Sequence, residues 1–150
     1  MFLNRGKVTT PLALRANGDH NHILHEHVVI LSIETVPRPH LGTEGRVVVD
    51  DLGYTDDGIS HVTAHFGYME DPNVPNVLRL ADAAGLESPL DLGQVSYFLS
   101  TIELHVGTEP GMARWRKRLF VATSHITTDA AEYFGLPRTH TVIMGSIITV

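Results

Sequence analysis

Val28-Val-Ile-Leu-Ser-Ile-Glu-Thr-Val36 is β-branched and apolar at consecutive positions over its first half. An extended chain sends successive side chains to opposite faces, so this segment can hide its apolar groups only in a sheet covered on both sides. It is expected near the middle of that sheet. Pro37 and Pro39 end it, because neither nitrogen can donate to a ladder. Val28 to Ile33 is also the longest nearly uncharged apolar run, far short of the ~20 residues that cross a bilayer as a helix. The first residues lack a signal-like apolar region, so the chain as given is expected to stay out of the membrane.

The remaining pattern surrounds this strand with alternating elements. Arg46 to Asp51 and Ser60 to Phe66 read as an antiparallel pair joined by the turn-rich Leu52-Gly-Tyr-Thr-Asp-Asp-Gly58. In the second, Val62, Ala64 and Phe66 alternate with His61, Thr63 and His65. From Asn73 the period becomes helical, with Val74, Val77, Leu78 and Ala81 on one face, Asp71 and Asn73 as cap candidates and Gly85 as the stop. Pro11 to His27 predicts one broken helix or two short ones, weakened at Asn17-Gly18. Gln94 to Leu104 predicts a strand. Gly111 then opens a long helix striped by Met112, Trp115, Leu119, Ala122 and Ile126, and Gly135-Leu-Pro137 closes it. Thr141 to Val150 is a last β-rich segment interrupted by Gly145. The expectation is a single α/β domain over residues 1–150, a mixed β-sheet of about five strands with helices packed on its faces, the later units forming right-handed crossovers.

A formal charge of −6 argues against a nucleic-acid binder that must neutralise phosphates. The absence of cysteine excludes disulfides and thiolate zinc sites, and suits the cytosol. Ten histidines make the charge sensitive to mild acid, with lower solubility there. Asp19-His20-Asn-His22-Ile-Leu-His25-Glu26-His27 offers imidazoles and carboxylates, but not in the His-Glu-x-x-His order, so it reads as polar surface and no metal or other cofactor is expected. Glu70 and Asp71 could form a cation site or acid–base pair; the preferred reading has Asp71 capping the following helix. Ser96, Ser100 and Ser124 lack nucleophile-elbow glycines, and no Gly-rich phosphate loop is present, so hydrolase, kinase and NTPase readings fall away. Arg114, Lys117 and Arg118 share a helical face distinct from the Trp115 stripe, leaving the arginines in water and Trp115 packed inward, or presenting a basic face to anionic headgroups or a phosphate.

Several blocks together carry a resemblance. These are His20-Asn21 with Leu24-His25-Glu26, Thr63-Ala-His-Phe-Gly-Tyr-Met-Glu-Asp-Pro-Asn-Val-Pro75, Ser96-Tyr-Phe-Leu99, Gly111-Met-Ala-Arg-Trp-Arg-Lys-Arg-Leu-Phe120 and Tyr133-Phe-Gly-Leu-Pro137. In order and spacing they resemble the cytoplasmic C-terminal domain of the Kup/HAK/KT-family potassium uptake transporters. The family-motif residues are Gly67, Tyr68, Met69, Glu70, Asp71, Pro72, Ser96, Tyr97, Phe98 and Leu99, and the ordered series of blocks is more specific than any one of them. The resemblance departs at Thr101-Ile102, where the family often carries an arginine, and at Asn17-Gly-Asp19.

The resemblance implies a regulatory or structural domain of a K⁺/H⁺ symporter, on the cytoplasmic face of the membrane. Its implied partners are the transmembrane part of the same transporter and a second copy of itself, with no nucleic acid and no enzymatic activity or catalytic residue. Met1 to Arg5 would lie nearest the last membrane span. The alternative is a sensor for a cyclic dinucleotide such as cyclic di-AMP, for which Tyr97, Arg114 and Trp115 are the candidate ligand-binding residues. A cyclase activity proposed for plant relatives finds no metal-site likeness here.

Overall fold

A computed structural model describes residues 1–4, 9–54, 57–87, 89–105, 115–116 and 130–149. Its sheet holds β1 (Phe2–Asn4), β2 (Val28–Val36), β3 (Val47–Asp50), β4 (Ile59–Gly67), β5 (Tyr97–His105) and β6 (Thr141–Thr149). The order is β3-β4-β2-β1-β5-β6. β3 pairs antiparallel with β4, as expected, and the other neighbours are parallel. The described helices are α1 (Leu12–Asn21), α2 (Val74–Gly85) and α3 (Ala130–Tyr133), with a 3₁₀ turn at Arg138–His140.

The α/β class and mixed sheet match the expectation, with six strands among the described residues instead of about five. The added strand is β1, whose three residues are too few to show alternation. Its identity comes from outside itself, since Phe2 lies opposite both Ile30 of β2 and Phe98 of β5. β2 is central as predicted, with Val28 through Ser32 buried and all nine residues paired to β4. Gly145 does not interrupt β6; it pairs in register with Thr101.

Each face has its own core. On one, Val29 and Leu31 of β2, Val62 and Ala64 of β4 and Leu99 of β5 meet the predicted stripe of α2, Val74, Val77, Leu78 and Ala81, all buried. Each large aliphatic side chain so placed is worth about 1.5–3 kcal/mol of transfer free energy. On the other, Phe2, Val28, Ile30 and Phe98 pack against Ala13 of α1, and the Phe2 and Phe98 rings stack at 4.6 Å and 14°.

Three local expectations change. α1 runs unbroken through Gly18 because Asn17 is buried and useful: its Nδ2 donates to the Ile23 carbonyl (3.0 Å), and its Oδ1 accepts from Asn21 Nδ2 (2.6 Å). His22, in the left-handed region at φ 53, then ends the helix by donating its N–H to the Gly18 carbonyl. α2 is capped by Asn73, not Asp71, the Asn73 Oδ1 accepting the Asn76 N–H at 3.0 Å. With Pro75 in the first turn, Asp71 stands too far ahead to reach those N–H groups. Trp115 does not pack inward: it is 66% exposed, with the Arg116 guanidinium 5.7 Å from its ring centroid. The rest of the predicted 112–126 stripe, with Arg114, Lys117 and Arg118, lies outside the described residues.

Candidate functional site at the carboxyl edge of β4

Ligands of open α/β sheets gather beyond the carboxyl ends of the strands, and there the chain places Gly67-Tyr-Met-Glu-Asp-Pro72. The exits of β2 and β4 stay zipped past their strand ends. Tyr68 donates its N–H to the Arg38 carbonyl (2.9 Å) and Met69 to that of Pro39 (3.2 Å). Gly67 makes this approach possible, because a Cβ there would overlap the Pro39 carbonyl oxygen and lie 2.8 Å from that of Arg38.

Glu70 then turns back over the junction. One carboxylate oxygen accepts the Gly67 N–H at 2.7 Å and the other accepts from Arg46 Nη2, also at 2.7 Å. Arg46 donates as well to the Leu41 carbonyl and stands over the Phe66 ring, 5.1 Å from its centroid. The pair is largely covered, at 15% and 17% side-chain exposure. The Arg46 hydrogen bond, followed by the Gly67 N–H, holds the Glu70 carboxyl down at about 2. Such a group is a fixed anion near neutrality and clamps three backbone segments; it does not exchange protons there. Asp71 is exposed and Pro72 buried, while Tyr68 and Met69 stand in solvent.

Two more motif blocks meet α2. The Phe134 carbonyl accepts the Val74 N–H at 3.1 Å, satisfying a donor that a helix start leaves open. Gly135, at φ 63, sits against the Asn73 side chain, and Leu136 is buried in the first core. Ser96 and Phe98 bracket Met1: the Met1 nitrogen donates to the Ser96 carbonyl (2.8 Å) and the Met1 carbonyl accepts from Phe98 (2.9 Å). Tyr97 and Leu99 point to the α2 face and Phe98 to the α1 face.

The three candidate ligand residues are placed unequally. Tyr97 is 2% exposed in the core, with its phenol pushed upward by burial against an opposing pull from Arg79. Trp115 is at the surface, and Arg114 falls outside the described residues. In the histidine-rich stretch, Asp19 and His20 lie in the last turn of α1, residues 22–27 are exposed, and the His25 ring rests 5.6 Å from that of Phe98. Among the described residues no three His, Asp or Glu side chains converge as a metal would require. His61 and His65 share the face opposite Val62, Ala64 and Phe66, His61 beside Ser32 and His65 Nε2 3.5 Å from the Glu34 carboxylate.

Arg46, Asn73 and Gly135 were not singled out as a group by sequence reasoning. Arg46 opens the strand expected to pair with the one that leads into Glu70, but the register that sets it beside His65 is not written in the sequence. The Gly135 contact, which spans some sixty positions of sequence, carried no signal.

These blocks are shared with known proteins. Residues 1–150 match the family described as the K⁺ potassium transporter C-terminal domain. The chain is similar, at 62% identity over its whole length, to the "Probable potassium transport system protein Kup" of Rhodococcus jostii (strain RHA1), of which it covers 23%. It is 38% identical over its whole length to "Probable potassium transport system protein Kup 2" of Rhodopseudomonas palustris (strain BisA53), again covering 23%. To "Probable potassium transport system protein Kup 1" of Paramagnetospirillum magneticum (strain ATCC 700264 / AMB-1) it is 37% identical over 97% of the chain and 22% of that protein. The chain thus spans under a quarter of the length of these relatives. No solved structure matches it, and among the described residues no helix is long and apolar enough to cross a membrane. On the match over residues 1–150, the chain belongs to the K⁺ potassium transporter C-terminal domain family.

Proposed function

We propose that this chain is the cytosolic regulatory and structural domain of a K⁺ uptake transporter working by K⁺/H⁺ symport, that it pairs with a second copy, and that it modulates transport without chemistry of its own. The observation that carries this reading is the full-length family match together with relatives named for potassium transport. The geometry supports a structural role for the motif residues: the Glu70 carboxylate is spent on Arg46 and Gly67, and the Tyr133–Pro137 block on the start of α2. The test is rubidium uptake by the intact transporter in cells lacking their own potassium uptake, with and without these 150 residues. Transport unchanged by the deletion would refute the regulatory role, and a monomer at high concentration in analytical ultracentrifugation would refute the pairing.

A second reading, sensing of a cyclic dinucleotide such as cyclic di-AMP, draws on the exposed Trp115 ring beneath Arg116, a surface on which a base could stack. Stacking would rest on Trp115, since Tyr97 is enclosed. Titration calorimetry with cyclic di-AMP that yields no heat removes this reading.

A further inference from the structure

At the amino edge of the sheet, a cleft of about 280 Å³ opens where β1 begins. Val29, Leu78, Leu90 and Val95 line it toward the α2 face, and His25 and Phe98 toward the α1 face. Pockets that hold drug-sized ligands measure about 300–1,000 Å³, so the cleft lies just below that range. Met1 is itself part of the wall: its side chain is buried in the α2-side core, and its nitrogen is already bonded to the Ser96 carbonyl.

The strands on either side of β1 frame this cleft. Phe2 stands opposite Ile30 on one side and Phe98 on the other. Continuing that register backwards sets the position before Met1 between Val28 and Ser96, and the position before that beside His27 and Val95. Alternation then aims the first of these side chains toward Phe98 and His25, and the second toward Leu78, Leu90 and Val95.

We infer that the cleft is the seat of the polypeptide immediately preceding Met1 in the intact transporter, which enters as a continuation of β1 and fills the gap between β2 and β5. The inference rests on the transporter reading given above. Relatives more than four times as long as the matched region supply the chain outside the structure, and the position of Met1 fixes where it arrives. The occupant is an extended segment with an apolar side chain two positions before Met1, because that side chain meets Leu78, Leu90 and Val95, with His27, Asp91 and Gln94 as the polar part of the same wall. The connection to the membrane part is thereby held as a strand in the sheet, and it is not a free tether.

The test uses the intact transporter in membranes, with any natural cysteines replaced. One variant joins Ser96→Cys with a cysteine immediately before Met1; a second moves the upstream cysteine one position earlier. Neighbouring strands lie ~4.8 Å apart, within disulfide reach, so mild oxidation should link the first pair roughly fivefold more than the second, whose side chain faces away. A Leu136→Cys reporter that resists maleimide until denaturation shows the domain folded in both. Equal, weak linking of the two pairs in folded, membrane-embedded protein overturns the inference and leaves the transporter reading standing. A polypeptide that starts at Met1, or that fractionates away from membranes, sinks the transporter reading and this seat with it.

Discussion

Ser32 Oγ lies 3.1 Å from His61 Nε2, both side chains buried, on adjacent parallel strands β2 and β4. A buried imidazole that loses a hydrogen-bond partner costs about 1–3 kcal/mol, whereas removing both members together costs less than the sum. Ser32→Ala should therefore lower the urea midpoint. The Ser32→Ala/His61→Leu double variant should show a coupling of about 0.5 kcal/mol or more in a double-mutant cycle. Strict additivity would mean that the pair contributes nothing as a pair.

Glu70 sets an acid limit. Its folded-state value of about 2 lies below the ordinary 4.5, so the unfolded chain binds its proton first as pH falls. The stabilisation is complete above about 4.5 and is lost progressively toward about 2. Glu70→Gln should be less stable than the parent at neutral pH, and the difference between their unfolding midpoints should close across that window. A gap independent of pH between 5 and 2 would contradict the Arg46–Glu70 clamp.

The start of α2 separates two neighbouring residues that look alike in sequence. Asn73→Ala removes the cap to Asn76 and should cost about 1 kcal/mol. Asp71→Ala, at an exposed position outside the helix, should stay within about 0.5 kcal/mol of the parent. Thermal denaturation of the two variants side by side decides the matter, and the reverse order would restore Asp71 as the cap.

Two glycines should respond with opposite sign. Gly67→Ala drives a methyl into the Pro39 and Arg38 carbonyls and should destabilise by about 1–3 kcal/mol. Gly18→Ala lies in mid-helix with nothing within 4 Å of the new methyl, and should stabilise by about 0.5–1 kcal/mol. Chemical denaturation reads both, and a neutral Gly67→Ala would show that β2 and β4 do not stay zipped beyond their ends.

What could be read from the sequence follows the range of the interaction concerned. The buried run of β2, the alternation of β4 and the stripe of α2 depend on neighbours within one element, and all were legible. β1 was not, because three residues acquire strand character only from partners twenty-eight and ninety-six positions away. Asn17 looked like a helix breaker because its bonds to Ile23 and Asn21 depend on side-chain rotamers that no pattern records. At the candidate site the motif marked Gly67 and Glu70, but Arg46, which gives the carboxylate its purpose, stands just ahead of β3 and 24 positions before Glu70.

The placement of β1 also governs how the protein can be made. Within this region translation delivers β2, β3 and β4 before β5, and they can pair as they leave the ribosome, but Phe2 keeps one flank bare until Phe98 emerges. From the emergence of Phe2 until that of Phe98, the nascent chain displays an open apolar strand flank beside a half-built sheet, the kind of surface that chaperones shield. A ribosome stalled before the last third of this region would therefore hold an aggregation-prone stub, not a smaller working domain.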